Sequence, residues 1–154
     1  MNYELFMRAA LAEAEAAAAR GDRADGAVAV LDEAMVARGR DGSRTTIDPT
    51  AHAVVAAIRE ASHRLGRASL AGVSLFCVVE PCVMCAGALI AADVDGVVFA
   101  LADAREGACG SRHRIVGQGV SGGRLRVVSG ILADEAADLR PDLVQLAGEG
   151  ADQR

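Results

Sequence analysis

Leu5, Ala9, Ala12 and Ala16 recur at helical spacing within residues 2–20, a stretch rich in Ala, Leu and Glu, which predicts an amphipathic helix ending near Gly21. The period then changes. "GAVAVLD" (26–32) and "AMVARG" (34–39) are short, apolar and tightly joined, and predict a hairpin. "GRDGSRTTIDPT" follows as a loop. Its Asp48 and Pro49 form a side-chain cap followed by proline in the first helical position, which predicts a helix running to about Leu65. "VSLFCVVE" (73–80) is almost wholly apolar and too short for a helix, so it reads as a central strand that Pro81 ends. "CVMCAGALIAAD" (82–93) predicts a helix, "GVVFALAD" (96–103) a strand and "GRLRVVSG" (123–130) a last strand. "ILADEAADLRPDLVQLAG" closes as helix interrupted near Pro141, and 149–154 form a polar tail. Strands alternating with helices after an initial hairpin predict an α/β fold, a three-layer sandwich around a mixed sheet of about five strands, in a single domain over 1–148.

A chain of 154 residues can bury a real core without disulfide staples. Its 52% hydrophobic and 3% aromatic content makes that core aliphatic and argues against aromatic base-stacking platforms. The formal net charge of -5 argues against non-specific coating of nucleic acid by a broad basic face. No stretch approaches the roughly 20 uncharged apolar residues needed to span a bilayer, and "MNYELFMRAALAEAE" carries acids where a signal peptide is basic and then apolar. The expected location is cytoplasmic. In that reducing setting Cys77, Cys82, Cys85 and Cys109 are expected to be thiols or metal ligands rather than disulfides.

Cys82 and Cys85 stand at i and i+3 where a helix follows a buried strand, so both thiols face one way and meet free backbone N–H groups that favour thiolates. His52 opens the preceding helix in the same manner. Three such ligands and an open fourth position are the pattern of a catalytic zinc site. Taken singly, the Cys-x-x-Cys also fits a redox pair or part of a structural zinc site, and the histidine fits a packed or surface residue.

"HAV" followed 30 residues later by "PCVMC" resembles the His-x-Glu and Pro-Cys-x-x-Cys signature of zinc-dependent nucleobase deaminases of the cytidine deaminase-like fold. "DPTAHA", "EPCVMCAGALI", "VVFALADAREGACGS" and "GILADE" are similar to stretches of bacterial tRNA adenosine deaminases of the TadA type, over roughly residues 3 to 140. The resemblance implies one Zn2+ per chain held by His52, Cys82 and Cys85, substrate contacts at Asp41 and Ala53, and a general acid/base glutamate at position 54. Position 54 is Val54. A branched hydrocarbon moves no proton, Glu80 does not hold the proton-carrying position of the family, and Glu60 is about nine ångströms further along the helix by its rise. The chain as written is therefore expected to deaminate negligibly.

Two further departures accompany the valine. Asp41 stands where the family has an asparagine that binds the nucleoside, and Ala91, Ala92 and Asp93 stand where RNA-binding members carry His or Arg. Five arginines, Arg105, Arg112, Arg114, Arg124 and Arg126, face one acid, Glu106, between 104 and 126, in a region that borders the substrate mouth in relatives. His63 and His113 read as solvated, Cys77 as a core thiol and Cys109 as a loop thiol. Valine within "HAV" and the Gly110–Ile115 stretch also resemble the non-catalytic subunit of the eukaryotic heterodimeric tRNA adenosine deaminase. Three functional expectations follow: a crippled deaminase, a non-catalytic or RNA-binding partner subunit, and an inactivated form of a small-molecule base deaminase. The partner expected is a nucleobase, nucleoside or tRNA, with a second deaminase-type subunit against helix 82–93 as homodimer or heterodimer.

Overall fold

Alternate residues along each strand feed two separate cores, one on each face of a single sheet. The computed structural model describes residues 1–117, 120 and 124–145. Its elements are α1 (Tyr3–Ala19), β1 (Gly26–Leu31), β2 (Ala34–Arg40), α2 (Ala53–Leu65), β3 (Ser74–Val79), α3 (Val83–Ala91), β4 (Gly96–Leu101), β5 (Arg126–Ser129) and α4 (Ala133–Leu139). The sheet order is β2-β1-β3-β4-β5, with β1 antiparallel to both neighbours and β3, β4 and β5 parallel. Ala27, Ala29, Leu75, Cys77, Val97 and Phe99 point toward α2 and α3, whereas Val28, Val30, Phe76, Val78, Val98 and Ala100 point toward α1 and α4. The three-layer sandwich with its mixed five-stranded sheet is the architecture the alternating pattern predicts, and all six residues of the central β3 are buried.

Several boundaries differ from the pattern-based reading. The β1–β2 turn has both Asp32 and Glu33 in the left-handed region (φ 51° and 61°), which matches the twist of a tight hairpin although neither residue is glycine. Helix α2 starts at Ala53 with His52 as its N-cap. Asp48 and Pro49 do not start it, because the Asp48 Oδ1 accepts bonds from the Thr50 N–H and hydroxyl and so caps a local turn. Strand β5 is shorter than 123–130, since Arg124 and Leu125 form a turn and bend before it. Gly123 and the 146–154 segment, with the tail 149–154, lie outside the described residues. Among the described residues no helix is long and apolar enough to cross a membrane.

The close approach of α2 to β2 sets the position of everything at the N-terminus of that helix. A Cβ on Gly39 would stand 2.4 Å from the Ala57 nitrogen and 2.5 Å from the Ala53 oxygen, so only a residue without a side chain lets the helix backbone lie on the strand. Ala53, Ala57 and Ala61 supply the matching small face. Replacing Gly39 by Ala is expected to destabilise the fold by about 1–3 kcal/mol through overpacking. Gly87→Ala, on α3 with open space at its Cβ, is expected to be neutral or slightly stabilising. Denaturant midpoints of the two variants check the contrast.

Candidate metal centre

Two helix N-termini meet beyond the carboxyl end of β3. His52 caps α2, Cys82 caps α3, and Cys85 sits in the first turn of α3. Pro81 ends the strand and turns the chain so that Cys82 begins the helix. The His52 Nδ1 lies 3.6 Å from the Cys82 Sγ and 3.5 Å from the Cys85 Sγ, and the three ligand atoms are all within 4.8 Å of one another. Among the described residues this is the one cluster of three His, Cys, Asp or Glu ligand atoms so close. Two sulfurs and an imidazole nitrogen converging at this spacing fit a zinc ion and leave a fourth position for water or substrate.

The thiols are unlike each other electrostatically. A hydrogen bond from Cys85 holds the Cys82 thiol down at about 3, with a further bond from His52, against the opposing cost of burial. The same bond to Cys82, with burial and the Cys82 charge, pushes Cys85 far above the usual thiol range. The bond to Cys82 raises His52. A dication among the three atoms relieves this conflict by stabilising both sulfurs as thiolates.

Val54, two residues into α2, is 1% exposed and forms part of the wall of the inner pocket beside His52, Cys82 and Cys85. Asp41 lines the same pocket, 1% exposed, and its Oδ1 accepts bonds from the Ser43 N–H (3.0 Å) and hydroxyl (2.7 Å). Ala53 is fully buried beneath β2 and does not line the pocket. Glu60 is away from the pocket and ion-paired with Arg64. Glu80 lines the pocket but accepts the Ser111 hydroxyl (3.0 Å) and the Asp103 N–H (3.3 Å), and a Cβ on Gly107 would overlap its Oε2. It acts as a strut under the 103–111 loop. Cys77 is buried in the core and Cys109 is half-buried, with desolvation pushing its thiol up to about 12. His63 and His113 are exposed.

Outside the inner pocket an open cleft of about 590 Å³ is lined by Arg23, Arg44, Ile47, Pro49 and His52 among others. Ile47 stands on its rim, 91% exposed and with φ 53°, an unfavourable backbone region for a β-branched residue. Of the arginines in the 104–126 region, Arg105 approaches Asp142 at 4.0 Å, and Arg112, Arg114, Arg124 and Arg126 are exposed. Glu106 pairs with Arg23 at 3.7 Å. At the end of α3 and just beyond it, Ala91 and Asp93 lie exposed and the C-cap Ala92 is buried.

Two acids that the motif reading passed over organise this region. Asp22 clamps the cleft loop, accepting the Arg44 and Thr45 N–H groups (both 3.0 Å), the Thr45 hydroxyl (2.7 Å) and the Arg20 guanidinium (2.6 Å). Asp25 lines the inner pocket, and its Oδ1 accepts the N–H groups of Gly26 (2.9 Å) and Val79 (3.3 Å). Desolvation pushes Asp25 up to about 7, with the Val79 bond, the Arg140 charge and the Gly26 bond opposing. A signal for Asp25 existed in the period of two, which places position 25 on the same face as Ala27 and Ala29. Apart from Arg20, the contacts of Asp22 are with Arg44 and Thr45, 22 and 23 positions distant, and local pattern carries no trace of them.

A mixed α/β/α sandwich with a His/Cys/Cys centre at two helix N-termini defines a zinc-binding deaminase domain. The chain belongs to the family described as the cytidine and deoxycytidylate deaminase zinc-binding region, which matches residues 1–101. It is 35% identical over 136 residues to the tRNA-specific adenosine deaminase of Bacillus subtilis (strain 168), covering 88% of this chain and 84% of that protein. It is 37% identical over 134 residues to the tRNA-specific adenosine deaminase of Agrobacterium fabrum (strain C58 / ATCC 33970), covering 87% and 88%. A solved structure from work on A-to-I editing by tRNA:A34 deaminases at the wobble position of transfer RNA superposes with a TM-score of 0.83 at 37% identity, covering 87% of this chain and 97% of that one.

Elemental analysis of freshly purified protein is expected to find about one zinc per chain, and Cys82→Ala or Cys85→Ala to bring it well below that. The clamp at Asp22 carries a pH signature. Burial works to raise this carboxyl, but the Thr45 N–H and hydroxyl, Arg20 and the Arg44 N–H bring it from 3.8 down to about 2. A carboxylate lowered on folding stabilises the fold fully above its ordinary value, and that contribution fades as pH falls from about 3.8 toward 2. Asp22→Asn is expected to flatten thermal stability across that acid window, as read by Tm against pH.

Proposed function

We propose that His52, Cys82 and Cys85 hold one zinc and that the site runs hydrolytic deamination of an adenine-type base, slowly, because α2 presents Val54 where a proton carrier is needed. The substrate class rests on the relatives, which are tRNA-specific adenosine deaminases of matching length. The observation that carries the slowness is a valine side chain, 1% exposed, in the pocket wall beside all three ligands. When bound, zinc makes a coordinated water acidic enough to attack an electron-poor ring carbon.

The remaining work belongs to protein side chains. The loop locked by Asp41 and Asp22 forms one side of the entrance, and protons must reach the ring nitrogen and the leaving amine. General acid/base catalysis is worth about 10²–10⁴ in rate, roughly 3–5 kcal/mol of barrier. Val54→Glu is therefore expected to release ammonia about 10²–10⁴ faster than the unaltered chain from at least one member of a panel of bases, nucleosides and a tRNA anticodon stem-loop. A Val54→Glu variant that holds zinc and is no faster on any of them would overturn the reading.

A second reading is a non-catalytic subunit that binds RNA beside an intact deaminase. The outer face of α3 favours it, because Val83 (49% exposed), Gly87 and Ala91 leave a small-residue apolar stripe open to a second subunit. Exposed arginines in the 104–126 region, such as Arg112 and Arg126, would suit contact with phosphates. Copurification with a second deaminase that carries His-x-Glu would favour this reading over the first.

A further inference from the structure

Five carboxylates line the inner pocket, and their surroundings separate them. Glu80 supports the 103–111 loop through Ser111 and Asp103. Asp103 closes a turn by accepting the N–H groups of Arg105 (3.0 Å) and Glu106 (3.1 Å). Asp41 locks its own loop through Ser43, and Glu106 is drawn outward to Arg23. Asp25 is the last residue of the connection between α1 and β1. It immediately precedes β1, and the antiparallel register Ala27↔Cys77 carries it to Val79, at the carboxyl end of β3. There the chain turns through Glu80 and Pro81 into Cys82.

The contacts of Asp25 give its direction, because it lines the pocket together with His52 and Val54 at the start of α2 and with Cys82 and Cys85 at the start of α3. The Val79 N–H anchors the Oδ1 in that position, and the Oδ2 carries neither of the two backbone bonds. Asp25 lines the same pocket as His52, Cys82 and Cys85. Its oxygens are nevertheless outside the set of ligand atoms lying within 4.8 Å of one another. A carboxylate beside a metal centre but beyond its ligand set is placed to move protons rather than to coordinate. Val54 lines the same pocket. The pocket therefore holds a carboxylate from the residue before β1 and a valine at the α2 position where the resemblance implies a carboxylate.

We propose that Asp25 is a catalytic residue, supplying from the residue before β1 the proton transfer that position 54 of α2 does not make. The proposal rests on the hydrolytic reading above. As water adds to C6 of an adenine ring, an O–C bond forms, and one water proton passes to the Asp25 Oδ2 and on to N1. The second proton moves from the new C6 hydroxyl through the same oxygen to the amino group. The C6–N bond then breaks, ammonia leaves, and a carbonyl remains at C6. No oxidant or reductant is needed.

The test uses the zinc-loaded full chain, Asp25→Asn, Val54→Glu and the double variant, with three readouts. These are zinc per chain, ammonia release from an adenosine-containing anticodon stem-loop, and the ultraviolet difference spectrum of purine riboside. Purine riboside lacks the amino group and can only take up water across N1–C6, so its bound hydrate reports proton transfer without turnover. Asp25→Asn is expected to keep its zinc, to lose the residual ammonia release by a factor of about 10² or more, and to lose the hydrate signal. Val54→Glu is expected to rescue both signals in the double variant. Loss of zinc in Asp25→Asn would make Asp25 a ligand and overturn the proposal. So would unchanged turnover in that variant, or an unaltered chain silent in both readouts while Val54→Glu is active. Silence of Val54→Glu as well would overturn the hydrolytic reading, and the role of Asp25 with it.

Discussion

The site depends on how closely α2 can lie against β2. Gly39 removes the side chain that would separate them, and Ala53, Ala57 and Ala61 remove it from the helix side. The helix axis is thereby drawn down onto the sheet, and its N-terminus, with His52 as cap, is carried to the carboxyl end of the central strand. Helix α3 arrives at the same place by a different route, because Pro81 stops β3 and the next residue begins the helix. Ligand sites outside the carboxyl ends of strands are a general feature of open α/β sheets. Here the two helix N-termini also supply the free N–H groups that favour thiolates.

Around that junction the acids divide into structural and reactive surroundings. Asp22 and Asp41 spend their oxygens on the loop of the outer cleft, and Glu80 and Asp103 spend theirs on the 103–111 loop. Both loops form walls of the entrance, so the carboxylates that look like candidates in a list of pocket residues are mostly struts. Asp25 differs because its Oδ1 accepts the N–H groups of Gly26 at the start of β1 and of Val79 in β3. Its anchoring bond comes from the backbone of β3, the same strand whose end delivers Cys82. Desolvation pushes its carboxyl up to about 7, which makes it a stronger base than a carboxylate in water.

Much of this was legible before any coordinates. Short apolar runs alternating with helical periods gave the sandwich, and the spacing of His52, Cys82 and Cys85 pointed to zinc because few other chemistries need those three side chains at two helix starts. Other features were not local. Asp48 and Pro49 carry every mark of a helix start, yet the aspartate caps its own turn and the helix waits for His52. The 123–130 strand was shortened by a turn that its β-branched residues did not foretell. Pairing decides such limits, and pairing partners lie elsewhere in the chain.

By itself the sequence determined the order of the elements, the aliphatic nature of the core, the three candidate ligand side chains His52, Cys82 and Cys85, and the valine at position 54. These follow from side-chain chemistry and from periods of two and 3.6 residues, which act over one or two turns. Only the tertiary structure decided that the three ligand atoms lie within 4.8 Å of one another, that Asp22 grips a loop more than twenty residues away, and that Asp25 faces the pocket holding Val54. Each of those depends on strand register and on the depth of helix packing, and both are fixed by contacts between residues that no local pattern brings together.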